Sequence, residues 1–469
     1  MWSAKILIVI LSLFFITHSE TIVAAGFSLR DIAQPEGCGY LQHKHRHKAE
    51  EFISTTIPNG MRVLILERPQ TDTVTINFYI GIGRINEPES GAANLLLHML
   101  FRGSRKYPAH QITKEVARMG GTLDYYVGYL SSVISISLPS NPPCIPSLEK
   151  GGDGGFDRAI VLFADIILNP ILDTDELDKE RILILQKLAI SKDFPINRFF
   201  KEVMLRQFPD HPFGRSSEGT EDSVKKLNAE LLKLYHKRFY VTDNISVVIV
   251  GNVAKEAVEE MMCGISSEFG VQSSEFRAQN SKLLRIPQSA FRILLKGHVT
   301  QAQIFVGRPI PGLNYKEKHV LLVMNQILSG LNGRLFNTLR KKKGCVYAVS
   351  VWEIVYPEIG LWGIYAGTET RELEATEGLI VSELERLTHQ PIKYKELVTA
   401  QKLLETTIRT EYETNSSIAN EVGSSLVKGE AVLPMEERIK LVQSVTAEDI
   451  KTLVEKLFGN GEFNVIIMK

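Results

Sequence analysis

The chain has 469 residues, of which 44% are apolar, and its 54 lysines and arginines equal its 54 aspartates and glutamates. A chain of this length exceeds what one hydrophobic core usually organises, so two or more domains are expected. The balanced charge gives no electrostatic reason to bind nucleic acid or an anionic membrane surface, and a protein or peptide is the expected partner.

The first 25 residues are typical of a secretory signal peptide. Lys5 precedes an apolar run over residues 6–16, and a boundary of small residues ends at Ala25. The apolar run is about half of the roughly 20 residues that a membrane-spanning helix needs, so an uncleaved anchor is the less favoured alternative. No later segment is a spanning candidate. We therefore expect an exported chain that begins near Gly26 and has no stable membrane span after cleavage.

Residues 26–52 contain the cluster HKHRHK at positions 43–48. Its alternating histidines and cations leave metal binding open, but the absence of a periodic apolar face favours a solvated, mobile leader. The four cysteines, Cys38, Cys144, Cys263 and Cys345, lie far apart without the paired spacing of a zinc ribbon or redox motif. Export would permit disulfides, but the sequence assigns the cysteines no role.

Strand and helix patterns alternate beyond the leader. Alternating β-branched and polar residues predict strands at 61–69, 73–83 and 131–139. Helical spacing predicts helices at 91–103, at 112–119 before the pair Gly120 and Gly121, at 156–168 and at 173–190. Turn-forming residues throughout 141–157 predict an inserted surface loop.

An internal repeat bears on the architecture. Residues 227–250 align without gaps to residues 445–468, at an offset of 218 positions. Each segment has the pattern of an amphipathic helix, a short turn and a terminal strand. The chain is therefore predicted to have two related halves joined near residues 268–288, with helices packed on a sheet in each half.

Six motifs occur in order along the chain: TIPNGMRVLIL, LLLHMLFRGSRKYP, MGGTLDYY, HPFGRSSEGTEDSVKKL, VIVGNV and LSGLNGRLFNTLRKKKGCVYAVS. Because these motifs occur in this order, the sequence from about Thr56 to the C-terminus resembles the pitrilysin/insulinase family of zinc peptidases. This family includes the mitochondrial processing peptidases. The resemblance implies an α+β fold of two homologous α/β roll-like halves, each a mixed, largely antiparallel sheet packed with helices. It divides the chain into an N-terminal peptidase-like domain at 53–267, a linker at 268–288 and a C-terminal peptidase-like domain at 289–469.

The resemblance also identifies a degenerate metal site. Family members carry an inverted zinc motif, HxxEH, whose two histidines share one helix face and whose glutamate activates the bound water, and a later helix adds a glutamate ligand. The matching positions here are Asn94, Leu97, His98 and Lys187, with Glu180 as a retained acidic neighbour. His98 and Glu180 are too few for a catalytic zinc, which needs three protein ligands. We therefore expect no metal or other cofactor on this chain, and Leu97 and its apolar neighbours are expected to pack in a core.

The place of Lys187 is open between two alternatives. Its ammonium group would occupy the vacated cation position, accepted by the Asn94 oxygen and by Glu180, or it would point into solvent. The sequence favours neither.

The C-terminal half retains a substrate-binding pair. Active members use an arginine and a tyrosine seven residues apart to hold the substrate backbone, and Arg340 and Tyr347 match that pair in LRKKKGCVY. A guanidinium and a phenol can jointly hydrogen-bond a peptide carbonyl and stabilise an oxyanion that develops on it. A chance spacing within a lysine-rich surface run is the alternative. The neighbouring matches GRLFNTLR and YAVS favour substrate binding.

The sequence departs from the family pattern at a strand that is expected to lie at the edge of the sheet. Family sequences commonly have GG followed by asparagine and alanine where an edge strand pairs with the peptide, whereas this chain has Asp124 and Tyr125 in GGTLDYY. The change weakens a substrate-holding role for this strand.

In some bacterial members of the family, one chain holds zinc and a second supplies the arginine and tyrosine. The resemblance implies that this chain is of the second kind: a non-catalytic, substrate-binding subunit of an exported heteromeric zinc peptidase, with no activity alone. Its partner would be a homologous zinc-bearing subunit, its substrates unfolded peptides or small proteins, and its compartment the bacterial periplasm. The alternatives are a proteolytically inactive scaffold or peptide-binding protein of the same fold, and a stand-alone peptidase with another metal arrangement.

Overall fold

The computed structural model describes residues 52–140, 155–269, 290–297, 299–330, 333–459 and 461–469. The predicted signal peptide, the leader up to residue 51, and most of the inserted loop and the linker lie outside these residues, as do Cys38 and Cys144. Within the described ranges, no helix combines the length and the apolar character needed to cross a membrane.

The strands of the N-terminal half form a six-stranded sheet. They are β1 (Ile53–Thr56), β2 (Arg62–Glu67), β3 (Thr73–Ile80), β4 (Thr122–Val127), β5 (Ser132–Pro139) and β6 (Ile245–Gly251). Their order in the sheet is β1-β2-β6-β3-β5-β4, and only β2 and β6 run parallel. The strand β4, which carries Asp124 and Tyr125, therefore lies at an edge.

The helices of this half flank the sheet. They are α1 (Ala92–Leu100), α2 (Ala109–Arg118), α3 (Gly155–Leu168), α4 (Thr174–Lys192), α5 (Pro195–Gln207), α6 (Glu221–Lys226), α7 (Ala229–Phe239) and α8 (Lys255–Phe269). The local sequence explains where two of these helices begin. The Asp173 carboxylate accepts hydrogen bonds from the backbone of Asp175 and Glu176 at the start of α4, and a proline begins α5.

The C-terminal half repeats this plan. Its strands are β7 (Arg292–Leu295), β8 (Ala302–Pro311), β9 (Val346–Val355), β10 (Ile359–Thr368) and β11 (Asn464–Met468). Its helices are α9 (Tyr315–Ser329), a π-helix (Phe336–Lys342), α10 (Leu373–His389), α11 (Tyr394–Glu411), α12 (Asn415–Val427), α13 (Met435–Ser444) and α14 (Ala447–Phe458). The strand order is β7-β11-β8-β10-β9, with only β7 and β11 parallel.

The two sheets correspond strand by strand. The order β2-β6-β3-β5-β4 of the first matches β7-β11-β8-β10-β9 of the second, so the edge strands β4 and β9 are equivalent. The predicted repeat is confirmed: α7 begins after its N-cap Asn228 and α14 after its N-cap Thr446, at the offset of 218, and each helix leads into a strand.

Both faces of the first sheet are buried. Alternate residues of a strand point to opposite faces. In β2, Val63 and Ile65 pack with the helices of the N-terminal half, whereas Leu64 and Leu66 belong to a cluster formed mainly by the C-terminal half. The first sheet therefore has the helices of its own half on one face and the C-terminal half on the other.

One helix from each half packs on the sheet of the other. In α12, Ala419 accepts a hydrogen bond from the Tyr79 hydroxyl of β3 at 3.1 Å, and Asn420 accepts one from the Asn77 amide at 2.8 Å. In α5, Phe199 and Val203 pack with residues of β8, β10 and β11. The fold is the expected α+β arrangement of two homologous halves, each an open mixed sheet packed with helices.

Candidate functional site

The helix α1 holds the degenerate metal positions. Gly91 caps its N-terminus with φ of +90°, and an added Cβ would lie 2.9 Å from the Glu218 carbonyl oxygen, so glycine is required there. The side-chain oxygens of Glu87 accept hydrogen bonds from the backbone N–H of Gly91 at 3.1 Å and of Ala93 at 3.0 Å. These bonds satisfy N–H groups that the first turn of a helix leaves unpaired.

The apolar residues of α1 pack in the core, as expected. Leu95, Leu96, Leu97 and Met99 are fully buried in the cluster beneath the first sheet. Position 97, where the family has its catalytic glutamate, therefore contributes a core side chain.

His98 contacts the retained acid. Its Nδ1 lies 2.9 Å from Glu180 Oε1, with the His98 side chain 20% exposed and Glu180 almost fully buried. Arg102, just beyond the end of α1, donates from Nε to Glu180 Oε2 at 2.6 Å, and its Nη2 pairs with the same oxygen. Both oxygens of Glu180 are thus engaged by nitrogen donors.

These contacts decide the ionisation of Glu180. Burial alone would raise the pKa of the carboxyl, but the hydrogen bonds from His98 and Arg102 outweigh burial and hold the pKa of Glu180 below its usual value. The group is therefore a carboxylate at neutral pH, neutralised within the chain.

Lys187 does not fill the cation position. Its ammonium lies 3.5 Å from Glu218 Oε1, and its side chain is 59% exposed. Glu218 also pairs with Lys201 at 3.0 Å. Of the two alternatives, occupation by Lys187 is wrong, because the donors to Glu180 are His98 and Arg102. The physical reason is that Lys187 keeps more than half of its side chain in water when it pairs with Glu218, which is 22% exposed, whereas Glu180 is only 6% exposed.

The site does not fit a zinc ion. The Asn94 amide nitrogen is buried and has no hydrogen-bond partner, and an amide is a poor zinc ligand beside the imidazole, thiolate and carboxylate groups that zinc prefers. Leu97 has no ligand atom, and Glu180 is occupied by two donors. Across the described residues, no group of three or more His, Cys, Asp or Glu side chains is placed to hold a metal.

Aromatic rings cover the same region. Tyr125 of the edge strand β4 stacks on Phe101, with ring centroids 4.6 Å apart, and meets the edge of His98 at 5.2 Å. A small alanine, common in the family at this position, would leave that space open. In this chain the crevice between β4 and α1 is filled by a phenol ring.

Arg340 and Tyr347 belong to one compact turn in the other half. The backbone N–H of Gly344 donates to the Arg340 carbonyl at 3.2 Å, and that of Cys345 donates to the Leu339 carbonyl at 3.1 Å. Gly344 has φ of +64°, a conformation that favours glycine. The turn joins the end of the π-helix to the start of β9, so the structure brings Arg340 and Tyr347 onto one surface feature.

The side chains of Arg340 and Tyr347 face solvent, although their neighbours are buried. Leu339 is fully buried and Val346 nearly so, whereas Arg340 is exposed and Tyr347 is 50% exposed. The Arg340 guanidinium lies over the Phe336 ring at 5.3 Å. Burial of Leu339 and Val346 holds the backbone of the turn in place, while the adjacent side chains of Arg340 and Tyr347 stay accessible to solvent.

Tyr347 has a partner in the chain. Its hydroxyl donates to Glu369 Oε1 at 2.9 Å, and the other oxygen of Glu369 pairs with Arg371 at 2.7 Å. The hydrogen bond to Glu369, ahead of burial and the charge of that carboxylate, raises the pKa of the Tyr347 phenol. The phenol therefore keeps its proton at neutral pH and acts as a hydrogen-bond donor.

Sequence reasoning missed Arg102, the packing of Tyr125, and Glu369. The spacing of Arg102, four residues after His98, is a signal that could have placed both side chains toward Glu180. No local signal reveals Glu369, because antiparallel pairing of Val346 with Thr368 brings it to Tyr347 across 22 positions.

Two family models match the chain. Residues 62–221 match the one described as Insulinase (Peptidase family M16), and residues 226–404 match the one described as Peptidase M16 inactive domain. Together these matches cover more than half of the chain.

The chain is similar to proteins named as zinc proteases. An uncharacterized zinc protease of Rickettsia felis is 25% identical over 422 residues, which cover 89% of this chain and 98% of the relative. The uncharacterized zinc protease YmxG of Bacillus subtilis is 24% identical over 412 residues, which cover 86% of this chain and 95% of the relative.

Solved structures share the fold. A protease from Helicobacter pylori has a TM-score of 0.82 at 18% identity, covering 90% of this chain and 100% of that one. A peptidase M16 inactive domain from Pseudomonas fluorescens has a TM-score of 0.77 at 19% identity, covering 89% and 98%. With two family models matched in order along the sequence, the chain belongs to peptidase family M16, the insulinase family.

Proposed function

We propose that this chain is the non-catalytic, substrate-binding subunit of a heteromeric zinc peptidase whose zinc is held by a homologous partner chain. The observation that carries the proposal is a contrast between the two halves. Where the family has its metal, Glu180 is neutralised by His98 and Arg102. In the other half, Arg340 and Tyr347 remain exposed on one turn.

The chemistry of the turn suits peptide binding. The Arg340 guanidinium is a permanent cation with several N–H donors, and the Tyr347 phenol is a neutral O–H donor. A peptide carbonyl oxygen has two lone pairs and accepts from both. The Arg340 guanidinium is positioned over the Phe336 ring before the substrate arrives. The Tyr347 hydroxyl would turn from Glu369 to the carbonyl oxygen when the substrate binds. The turn thus positions an unfolded peptide or small protein in the shared chamber.

The proposal includes export. The pattern of residues 1–25 supports a cleaved signal peptide, and the bacterial periplasm is the proposed compartment. The partner in that compartment would be a homologue that keeps the HxxEH motif and the distal glutamate.

A specific observation favours a second candidate, an inactive scaffold or peptide-binding protein. The Tyr347 hydroxyl is already bonded to Glu369, and Tyr125 fills the crevice beside β4. An inactive scaffold does not require a free Tyr347 hydroxyl or an open crevice beside β4. A stand-alone peptidase with another metal arrangement is disfavoured, because the residues at the degenerate site do not fit zinc.

The first experiment is an affinity pull-down of the tagged mature chain from the envelope fraction of its native host. Recovery of a homologue with an intact HxxEH supports the divided enzyme and supplies it for assay. Recovery of unrelated proteins, or of this chain alone, supports the scaffold.

Tyr347→Phe then tests the site in the assembled pair. Because it removes one donor to the carbonyl, we expect kcat/KM for peptide hydrolysis to fall about tenfold to a hundredfold, with assembly unchanged. Tyr394→Phe is the matched control, since that tyrosine is 81% exposed in the same half. Equal turnover of both variants and the parent contradicts the proposed role.

A further inference from the structure

The turn that carries Arg340 and Tyr347 is strongly cationic. Arg340, Lys341 and Lys343 are all exposed, and the sequence from Phe336 to Tyr347 contains no acidic residue. Among the ion pairs of the described residues, none includes Arg340 or Lys343. This local charge stands out in a chain whose cations and anions balance.

The cations are held in place. The Arg340 guanidinium and the Lys341 ammonium lie 5.3 and 5.4 Å from the centre of the Phe336 ring. Cations over an aromatic face are attracted by its negative potential. Phe336 begins a π-helix, a conformation that is rare and frequent at functional sites. The hydrogen bonds from Gly344 and Cys345 close the turn on its other side.

A carboxylate already sits at this surface. Glu369 accepts the Tyr347 hydroxyl at 2.9 Å with one oxygen and pairs with Arg371 at 2.7 Å through the other. The side chains of Tyr347, Glu369 and Arg371 are all exposed, so water and solutes can reach their polar groups. The surface therefore accommodates a carboxylate between a phenol and a guanidinium.

We propose that this turn selects peptides that carry aspartate or glutamate next to the carbonyl held by Arg340 and Tyr347. The inference rests on the proposed function, because it assigns a substrate class to the same site. Lys341 and Lys343 attract the peptide carboxylates, while Arg340 and Tyr347 hold the backbone. Since exposed ion pairs are screened by salt, the selectivity weakens as ionic strength rises.

The test is peptide binding to the full mature chain, measured by fluorescence anisotropy. Three labelled, unstructured peptides of equal length carry four glutamates, four glutamines or four lysines at the same positions. We expect the acidic peptide to bind at least about tenfold more tightly than the neutral one at low salt, and the basic peptide most weakly. Raising the salt about tenfold should reduce the ratio of acidic to neutral affinity to near one.

A double substitution, Lys341→Gln with Lys343→Gln, should lower the ratio of acidic to neutral affinity about three- to tenfold. The matched control is Lys233→Gln with Lys237→Gln, which removes the same charge from exposed positions on α7 and should leave the ratio unchanged. Circular dichroism checks that each variant is folded.

The outcomes separate the two proposals. Neutral peptide that binds as tightly as acidic peptide, or a ratio that the 341/343 variant leaves unchanged, overturns the acidic preference. If Tyr347→Phe still weakens binding of neutral peptide in that case, the proposed function stands. Failure of every peptide to bind both the isolated chain and its assembled complex overturns both proposals.

Discussion

Glu87 places a buried carboxyl against the N-terminus of the helix that carries the degenerate site. The side chain is 6% exposed. Burial raises the pKa of Glu87 to about 7, although the hydrogen bonds from Ala93 and Gly91 and the charges of Arg84 and Arg215 act in the opposite direction. The two influences conflict, because a helix N-terminus favours negative charge. Desolvation is the larger effect, so in the folded chain the Glu87 carboxyl is protonated below a pH of about 7.

The stability of the protein should therefore depend on pH through Glu87. An acid whose pKa is higher when folded binds more protons in the folded state, so the free energy of unfolding falls as pH rises from about 4.5 to about 7. Glu87→Gln removes this contribution. Between pH 5 and pH 8, we expect the stability of the parent to fall by on the order of 2 kcal/mol relative to the variant. Urea denaturation at both pH values measures the difference, and parallel stability curves would show that the carboxyl stays charged.

At the residue scale, the sequence predicted which zinc-site residues of the family are substituted in this chain. It did not predict the contacts that the substituted residues make. The identities of Asn94, Leu97 and Lys187 follow from the motif alone. The partner of Lys187 depends on how Glu218 approaches α4, and the neutralisation of Glu180 depends on Arg102, 78 positions away. Such contacts arise from packing between elements, which local patterns do not encode.

At the scale of single elements, local patterns placed two elements to within two residues at each end. The strand predicted at 61–69 is observed at Arg62–Glu67, and the helix predicted at 173–190 is observed at Thr174–Lys192. No helix or strand was predicted between residues 251 and 444, and the helix α12, which packs on the sheet of the other half, lies there. Its Gly423 lies against Tyr79 of β3, at a distance where no other residue type fits.

Two glycines inside helices should respond in opposite ways to alanine. In Gly423→Ala, the added Cβ would overlap the buried Tyr79 ring, so we expect a loss of about 3 kcal/mol in the free energy of unfolding. In Gly378→Ala, on α10, the Cβ meets no atom within 4 Å, and higher helix propensity should stabilise the protein by about 0.5–1 kcal/mol. Chemical denaturation of both variants tests this close approach. A neutral Gly423→Ala would mean that α12 is farther from β3.

At the scale of the whole molecule, the repeat predicted two related halves but not their exchange of helices. Because α12 covers the first sheet and α5 covers the second, each half completes the core of the other. Arg68 in the N-terminal half adds a polar link, donating to Asn415 Oδ1 at 2.8 Å and to the Tyr412 carbonyl at 3.1 Å. The halves are thus related in sequence yet joined in one packed unit.

The two halves should therefore fold together or not at all. Residues 53–267 expressed alone would expose Leu64, Leu66, Tyr79, Val248 and Val250 on one sheet face, an apolar surface that promotes aggregation. We expect this fragment to be aggregated or to lack a cooperative thermal transition. Co-expression with residues 289–469 should restore a soluble one-to-one complex, and the intact chain should unfold in a single calorimetric transition whose van't Hoff and calorimetric enthalpies agree. A soluble monomeric fragment with its own sharp thermal transition would show that helix exchange contributes little to the stability of the N-terminal half. The two halves would then be separate folding units that can move relative to each other, and their interface would not be a shared core.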